Sequence, residues 1–189
     1  IILDGIKTSN DIKSEIAEEV KKITESGNRP PHLAAVIVGN DGASLTYVGS
    51  KVKACEKVGY ESTLIKLPDE TTEDELLNQV EELNKNDSID GYIVQLPLPS
   101  HIDTQTILMA IDPDKDVDGF HPTNFGKMSL NLPTFISATP SGIIELLKRY
   151  KVQTEGKNTV VLGRSDIVGK PISILTVSYT HLTLPTTYT

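Results

Sequence analysis

Leu33-Ala34-Ala35-Val36-Ile37-Val38 is an unbroken apolar run of strand length. A strand with one solvated face alternates apolar and polar residues, so a run without alternation predicts a strand buried on both faces. Reading outward, Thr8 to Ser26 predicts an amphipathic helix: Ile12, Ile16, Val20 and Ile23 fall at helical spacing, Thr8 or Ser9 can cap it, and Gly27 can end it. Downstream come a helix from about Ala43 to Val58 with Gly59 beyond its end, and a strand from Glu61 to Leu67. Thr71 or Thr72 then opens a helix carrying Leu76, Leu77, Val80 and Leu83; a strand from Ile89 to Leu96 and a short helix from Asp103 to Ile111 follow. Strands alternating with helices predict βαβ units, a largely parallel sheet and an α/β fold. Ligands of such sheets sit at the carboxyl ends of the strands, which points to the loops after Val38, Val94 and Leu162.

The alternation stops at Asp112. From there to Ala138, four acids, three prolines and two glycines interrupt any period, so a long functional loop is expected. Regularity returns with Thr139 as a cap, Pro140 at the first helical position, and Ile143, Ile144, Leu146 and Leu147 on an apolar face. Thr159 to Leu162 reads as a short strand, and a helix begins near Val168. A domain boundary is therefore placed near residue 138, giving units 1–138 and 139–176. Residues 177–189 are rich in threonine and lack a clear period, as expected of an appended tail.

Hydrophobic residues at 38% and charged residues at 23% are the balance of a globular chain rather than a disordered one. The net charge of −8 argues against nucleic acid as a partner, since phosphate binding needs a basic face. No apolar run approaches the roughly 20 residues of a membrane helix, and Ile1 to Lys7 has no secretory pattern. Cys55 is the single cysteine, so no internal disulfide can form. These features favour the cytoplasm.

Four constellations could carry chemistry. Tyr47 and Lys51 stand four apart on a helix and so share a face; a partly desolvated lysine there could have a lowered pKa and trade protons near neutral pH. A packing tyrosine beside a solvated lysine is the plainer alternative. Gln95 is a polar residue at the tip of an apolar strand, with Pro97 and Pro99 stiffening the exit; it faces either a ligand or its own loop backbone. Asp112-Pro113-Asp114-Lys115-Asp116-Val117-Asp118-Gly119 imitates a calcium loop, but Pro122 falls in its middle and Phe125 stands where a bidentate Glu belongs. No metal is expected; one carboxylate, Asp118, is read as facing a ligand while the others organise the turn. Val161-Leu162-Gly163-Arg164-Ser165-Asp166-Ile167-Val168-Gly169 runs from strand through a Gly turn into a helix, a setting in which backbone N–H groups hold phosphate. Arg164 and Ser165 suit an extra ribose phosphate, hence NADP over NAD. His32, His101, His121 and His181 have no ligand spacing, and Cys55 is read as a packing residue.

Taken together, SLTYVGSKVKACEKVGY, GYIVQLPLP, DPDKDVDGFHPTNFGK, ATPSGIIELL and VVLGRSDIVGKP resemble, in order, the bifunctional methylenetetrahydrofolate dehydrogenase/methenyltetrahydrofolate cyclohydrolase family, over about residues 1–175. The resemblance implies an N-terminal α/β catalytic domain followed by an incomplete Rossmann-like NADP-binding domain. It implies Lys51 as the catalytic lysine and Tyr47 as the ring that positions the folate. Gln95 is implied as the amide bonded to that lysine, and Asp118 as the carboxylate on the pterin. Pro97, Pro140 and Gly142 are implied at the folate cleft, and Gly163, Arg164 and Ser165 at NADP. The implied activity is NADP-dependent oxidation of 5,10-methylenetetrahydrofolate, then hydrolysis to 10-formyltetrahydrofolate, in one-carbon metabolism. The whole protein is expected to be a cytoplasmic homodimer. Family members continue well beyond the Gly169 region, so a C-terminally truncated chain is expected, with dehydrogenase activity in doubt. Two other readings stay open: a noncatalytic or cyclohydrolase-only folate-binding fragment, and a different NADP-dependent dehydrogenase of similar architecture.

Overall fold

A computed structural model describes residues 2–180. Its sheet has three parallel strands in the order β2-β1-β3, namely β1 His32–Val38, β2 Glu61–Leu67 and β3 Gly91–Val94. β1 is central; it pairs with β2 from His32↔Glu61 to Val38↔Leu67, and with β3 from Leu33↔Gly91 to Val36↔Val94. Side chains alternate along a strand, and both faces of β1 are used. Ala34, Val36 and Val38 pack with Tyr92 and Val94 against Leu76, Val80 and Leu83 of α3 (Glu73–Lys85) and Ile107 of α4 (Thr104–Ala110). Ala35 and Ile37 pack with Ile93 against Val48 of α2 (Gly42–Val58). That double burial is why the sequence shows no polar residue there.

The helix signals resolve into specific caps. α1 (Gly5–Glu25) starts earlier than its apolar period, because Asp4 accepts the Lys7 N–H at 2.9 Å and outcompetes Thr8 and Ser9 as the cap. Asp41 caps α2, and Gly59, at φ 83, ends it in the left-handed conformation. Thr72 caps α3 in a reciprocal box: its hydroxyl accepts the Glu75 N–H at 3.2 Å, and the Glu75 carboxylate accepts the Thr72 N–H at 2.8 Å. Thr72→Ala is expected to lower stability by about 1 kcal/mol, read as a shift of the urea midpoint with unchanged slope.

Three local expectations are corrected. The stretch 112–138 is not all loop, since α5 (Pro122–Ser129) lies within it. Pro122 starts that helix rather than breaking one, because a first-turn residue needs no N–H partner, and the His121 ring accepts the Thr123 N–H at 3.1 Å. α6 (Ala138–Arg149) begins one residue before Thr139, so Pro140 is third in the helix and Ser137 takes the cap position. Ser137 makes no side-chain cap bond; its hydroxyl instead donates to the Ile167 carbonyl at 2.6 Å. Finally, 159–162 is not a strand: no described strand lies beside it, and Val160 and Leu162 are exposed at 83% and 96%. A β conformation is held by ladder bonds to a neighbour, and apolar content alone does not supply one. α7 runs Gly169–Thr180, through the start of the threonine-rich tail; residues 181–189 of that tail, His181 among them, lie outside the described residues.

Two contacts fix α6 to α1. The Arg149 guanidinium binds both Glu15 carboxylate oxygens, at 2.7 and 2.6 Å, and the Asp4 N–H donates to the Tyr150 hydroxyl at 2.9 Å.

Candidate active site

The acidic segment reaches the sheet through a close approach. The Tyr92 N–H donates to the Lys115 carbonyl at 3.0 Å, and Tyr92 bridges Asp116 in parallel. Only a residue without a side chain fits opposite, because a Cβ on Gly91 would collide with Val117. The segment is pinned from behind as well. Lys115 donates to the Leu83 and Asn86 carbonyls at the end of α3, at 2.9 and 2.8 Å. The Asn84 carbonyl oxygen accepts the Tyr92 hydroxyl at 2.7 Å and the Asp112 N–H at 2.9 Å, while its amide donates to the Ala110 carbonyl at 2.8 Å. Held in this way, the chain delivers Asp118 beside α2.

On α2, Tyr47 and Lys51 share a face as their spacing requires. The Lys51 ammonium lies 4.8 Å from the Tyr47 ring centroid, in cation–π range, and 3.7 Å from an Asp118 carboxylate oxygen. At that length the contact is an ion pair rather than a tight hydrogen bond. Both side chains are mostly buried, Lys51 at 25% and Asp118 at 21% exposed. Burial pushes the Asp118 carboxyl above the usual carboxylate range; Lys51 pulls it back down and Asp116 pushes it further up.

These groups share one crevice of about 200 Å3, lined by Tyr47, Lys51, Gln95 and Asp118 together with Leu96 and Phe120. Its far wall is Ser137, Ala138 and Thr139 at the start of α6, with Ile167 and Val168 before α7. Gln95 is on this wall, but its amide donates to the Leu96 carbonyl at 2.7 Å. Pro97 is exposed past the turn, and Pro140 is buried within the first turn of α6; neither lines the crevice. Gly142 lies on a second, largely apolar crevice of about 510 Å3 between α1, α2 and α6, which also reaches Lys51. Cys55 forms part of its lining, and burial raises the proton affinity of the thiol. Gly163 and Ser165 line a third hollow of about 450 Å3, whereas Arg164 is exposed outside it. The Ser165 hydroxyl accepts the Val168 and Gly169 N–H groups, each at 3.2 Å, and so caps the start of α7.

The other acids of the segment do structural work. Asp112 accepts the Asp114 N–H at 2.9 Å, and Asp114 is exposed 3.9 Å from Lys127. Asp116 is buried at 2% exposure and accepts the His121 N–H at 2.8 Å and the Asn124 amide at 2.9 Å. Sequence reasoning missed Phe120, Leu96, Ser137, Ala138, Thr139, Ile167 and Val168 as crevice walls, and Asn124 as a buried hub. None of them stands at a spacing that a helix or strand period would have marked.

The sequence and the fold both have close counterparts. Residues 3–118 match the family model described as the catalytic domain of tetrahydrofolate dehydrogenase/cyclohydrolase, and residues 137–187 match that of its NAD(P)-binding domain. The bifunctional protein FolD of Flavobacterium johnsoniae is 69% identical over 174 residues, 92% of this chain and 59% of that protein. The FolD of Porphyromonas gingivalis is 60% identical over the same share of each. The Campylobacter jejuni bifunctional FolD methylenetetrahydrofolate dehydrogenase/cyclohydrolase superposes with a TM-score of 0.93 at 42% identity, covering 95% of this chain and 64% of its own. The Trypanosoma brucei methylenetetrahydrofolate dehydrogenase-cyclohydrolase, solved with NADP cofactor and inhibitor, gives 0.90 at 34%, covering 95% and 62%. The chain thus spans about 59% of the length of its FolD relatives. On these matches, the chain belongs to the tetrahydrofolate dehydrogenase/cyclohydrolase family.

Proposed function

We propose that the protein oxidises 5,10-methylenetetrahydrofolate with NADP and hydrolyses the resulting 5,10-methenyltetrahydrofolate to 10-formyltetrahydrofolate, with Lys51, Tyr47, Gln95 and Asp118 forming the folate site. One observation carries this reading: an ammonium held between an aromatic ring and a buried carboxylate, in a crevice at the carboxyl end of a parallel sheet. The FolD relatives and the NADP-bound trypanosomal structure support it.

The chemistry asks for few groups. In the first reaction hydride leaves the methylene carbon between two nitrogens, and the cation left behind is delocalised over both. No proton is removed, so the residues need only hold that carbon in position. NADP, when bound, supplies the hydride acceptor. In the second reaction water adds to the methenyl carbon, one carbon–nitrogen bond breaks, and the freed ring nitrogen takes up a proton. Lys51 is placed to pass protons between water and that nitrogen. Tyr47, 55% exposed, offers a face on which the folate ring can stack. Asp118, carboxyl or carboxylate, offers a hydrogen-bonding edge to the pterin.

The turn 163–165 fits a dinucleotide phosphate on one observation: a Cβ on Gly169 would meet the Gly163 and Arg164 backbone at 2.6–2.7 Å, so α7 starts tight against the turn. Gly163 and Ser165 border the hollow there, and the exposed Arg164 guanidinium can reach a ribose phosphate. We assign residues 1–138 to folate and 139–176 to the start of the cofactor domain. The whole protein is read as a cytoplasmic homodimer, a reading supported by the family resemblance and by a lone, buried cysteine suited to a reducing compartment.

The two activities draw on different residues, so they are tested apart. The chain is mixed with methenyltetrahydrofolate and the loss of its absorbance followed; methylenetetrahydrofolate with NADP is assayed for NADPH. Catalysed loss in the first is expected. A rate equal to that of buffer would sink the hydrolase reading, and hydrolysis without NADPH formation would select the cyclohydrolase-only alternative.

A further inference from the structure

Asp116 is a carboxylate that the proposed chemistry does not use. It is 2% exposed, and its Oδ2 accepts from two N–H donors, as suits a carboxylate oxygen: the His121 backbone and the Asn124 amide. Asn124, itself 1% exposed, also donates to the Pro113 carbonyl at 2.8 Å and accepts the Thr134 hydroxyl at 2.7 Å. One amide thus ties the acidic segment, α5 and the return towards α6. The turn between Asp116 and His121 carries Asp118 and Phe120, both crevice residues. Between them Gly119 sits at φ 67 with no room for a side chain. The turn has one seat, and Asp116 closes it.

We propose that Asp116 is the positioning residue for Asp118: bonded to His121 and Asn124, it fixes the turn that holds Asp118 against Lys51. The groups around this anion are few. Lys51 faces Asp118 from α2. Tyr92 faces Asp116 from β3, with Asp112 beyond it; burial first, then both acids, raise the proton affinity of the Tyr92 hydroxyl, so it stays neutral. His121 contributes its backbone N–H from the turn itself. The effect of Asp116 on Asp118 has the sign that two neighbouring anions require, favouring the protonated form. This deepens the hydrolase reading by naming what prepares the Lys51–Asp118 pair, and rests on that reading only for its catalytic consequence.

The test titrates the Asp118 carboxyl by carbon-13 NMR in the full chain, with Asp118→Asn used to assign the resonance. Asp116→Asn is nearly isosteric, and its carbonyl oxygen can still accept both N–H groups. The Asp118 midpoint is expected to move down in this variant, because an anion has gone while the turn stays closed. A midpoint equal to that of the parent chain overturns the proposal, since a purely structural carboxylate would leave it in place. If Asp116→Asn does not fold by circular dichroism, Asn124→Ala takes over: the charge remains but the turn loses its tie. Asp118 is then expected to drift from Lys51 and titrate higher; an unmoved midpoint overturns the positioning role. No folate enters the measurement, so failure of the hydrolase assay and failure of this inference are read separately.

Discussion

Lys51→Ala is expected to reduce methenyltetrahydrofolate hydrolysis to the uncatalysed rate, a loss on the order of 10²–10⁴-fold, the usual share of a positioned proton donor or acceptor. The ammonium is the only cation within 4.0 Å of Asp118 among the described residues. Near-normal hydrolysis by this variant would refute the assignment. The substitution also has a signature without substrate. Lys51 pulls the raised Asp118 proton affinity down, so its removal leaves that affinity higher still. A carboxyl whose folded value lies above its unfolded one binds more protons when folded. Its contribution to stability is therefore full at low pH and is lost as pH rises through the folded value. The stability deficit of Lys51→Ala should thus be largest at neutral pH and shrink on acidification through the Asp118 titration, as read from urea midpoints across pH. A deficit that grows towards acid would contradict the pairing.

Gly119→Ala is the second large effect, and it acts through backbone. The residue adopts φ 67, and an added Cβ would lie 2.7 Å from the Ser137 nitrogen and 2.9 Å from Ile136 and Phe135 backbone atoms. The main chain of 135–137 cannot swing away as a flexible side chain would. Left-handed backbone costs about 1–2 kcal/mol for a residue with a Cβ, and overpacking adds about 1–3 kcal/mol, so a loss of roughly 2–5 kcal/mol is expected. Ser137 leads into α6 and Asp118 precedes the glycine, so the clash pushes apart two walls of the crevice. A displacement of about 1 Å suffices for a 100-fold loss of activity. Gly126→Ala is the control: it lies inside α5 with nothing within 4 Å of the new Cβ, and is expected to be neutral or slightly stabilising, since alanine is the better helix former. Equal urea midpoints for the two variants would remove the argument.

The parts of this architecture with a period were legible in the sequence. The apolar run 33–38 announced a doubly covered strand, and the pair Tyr47 and Lys51 fell on one helical face because helix geometry puts residues four apart together. The parts decided by unique contacts were not legible. Asp116, Asn124 and Thr134 meet across an irregular segment, where polar residues obey no spacing rule. Pro122 looks like a breaker until His121 is seen capping the helix it starts. Thr159 to Leu162 has strand composition, but no described neighbour offers it a ladder. Gln95 shows the limit within the site itself: its position at the strand tip followed from pattern, while its partner, the Leu96 carbonyl, depended on a turn the pattern did not describe.

Asn84 has a consequence that reaches beyond its own bonds. One amide on α3 serves Tyr92 of the sheet, Ala110 at the end of α4 and the start of the acidic segment. It touches no wall of the crevice. The placing of Asp118 is therefore governed partly from outside the crevice. Loss of this joint would loosen the acidic segment from α3 and the sheet, and with it the backbone that carries Asp118, from a position outside the crevice lining.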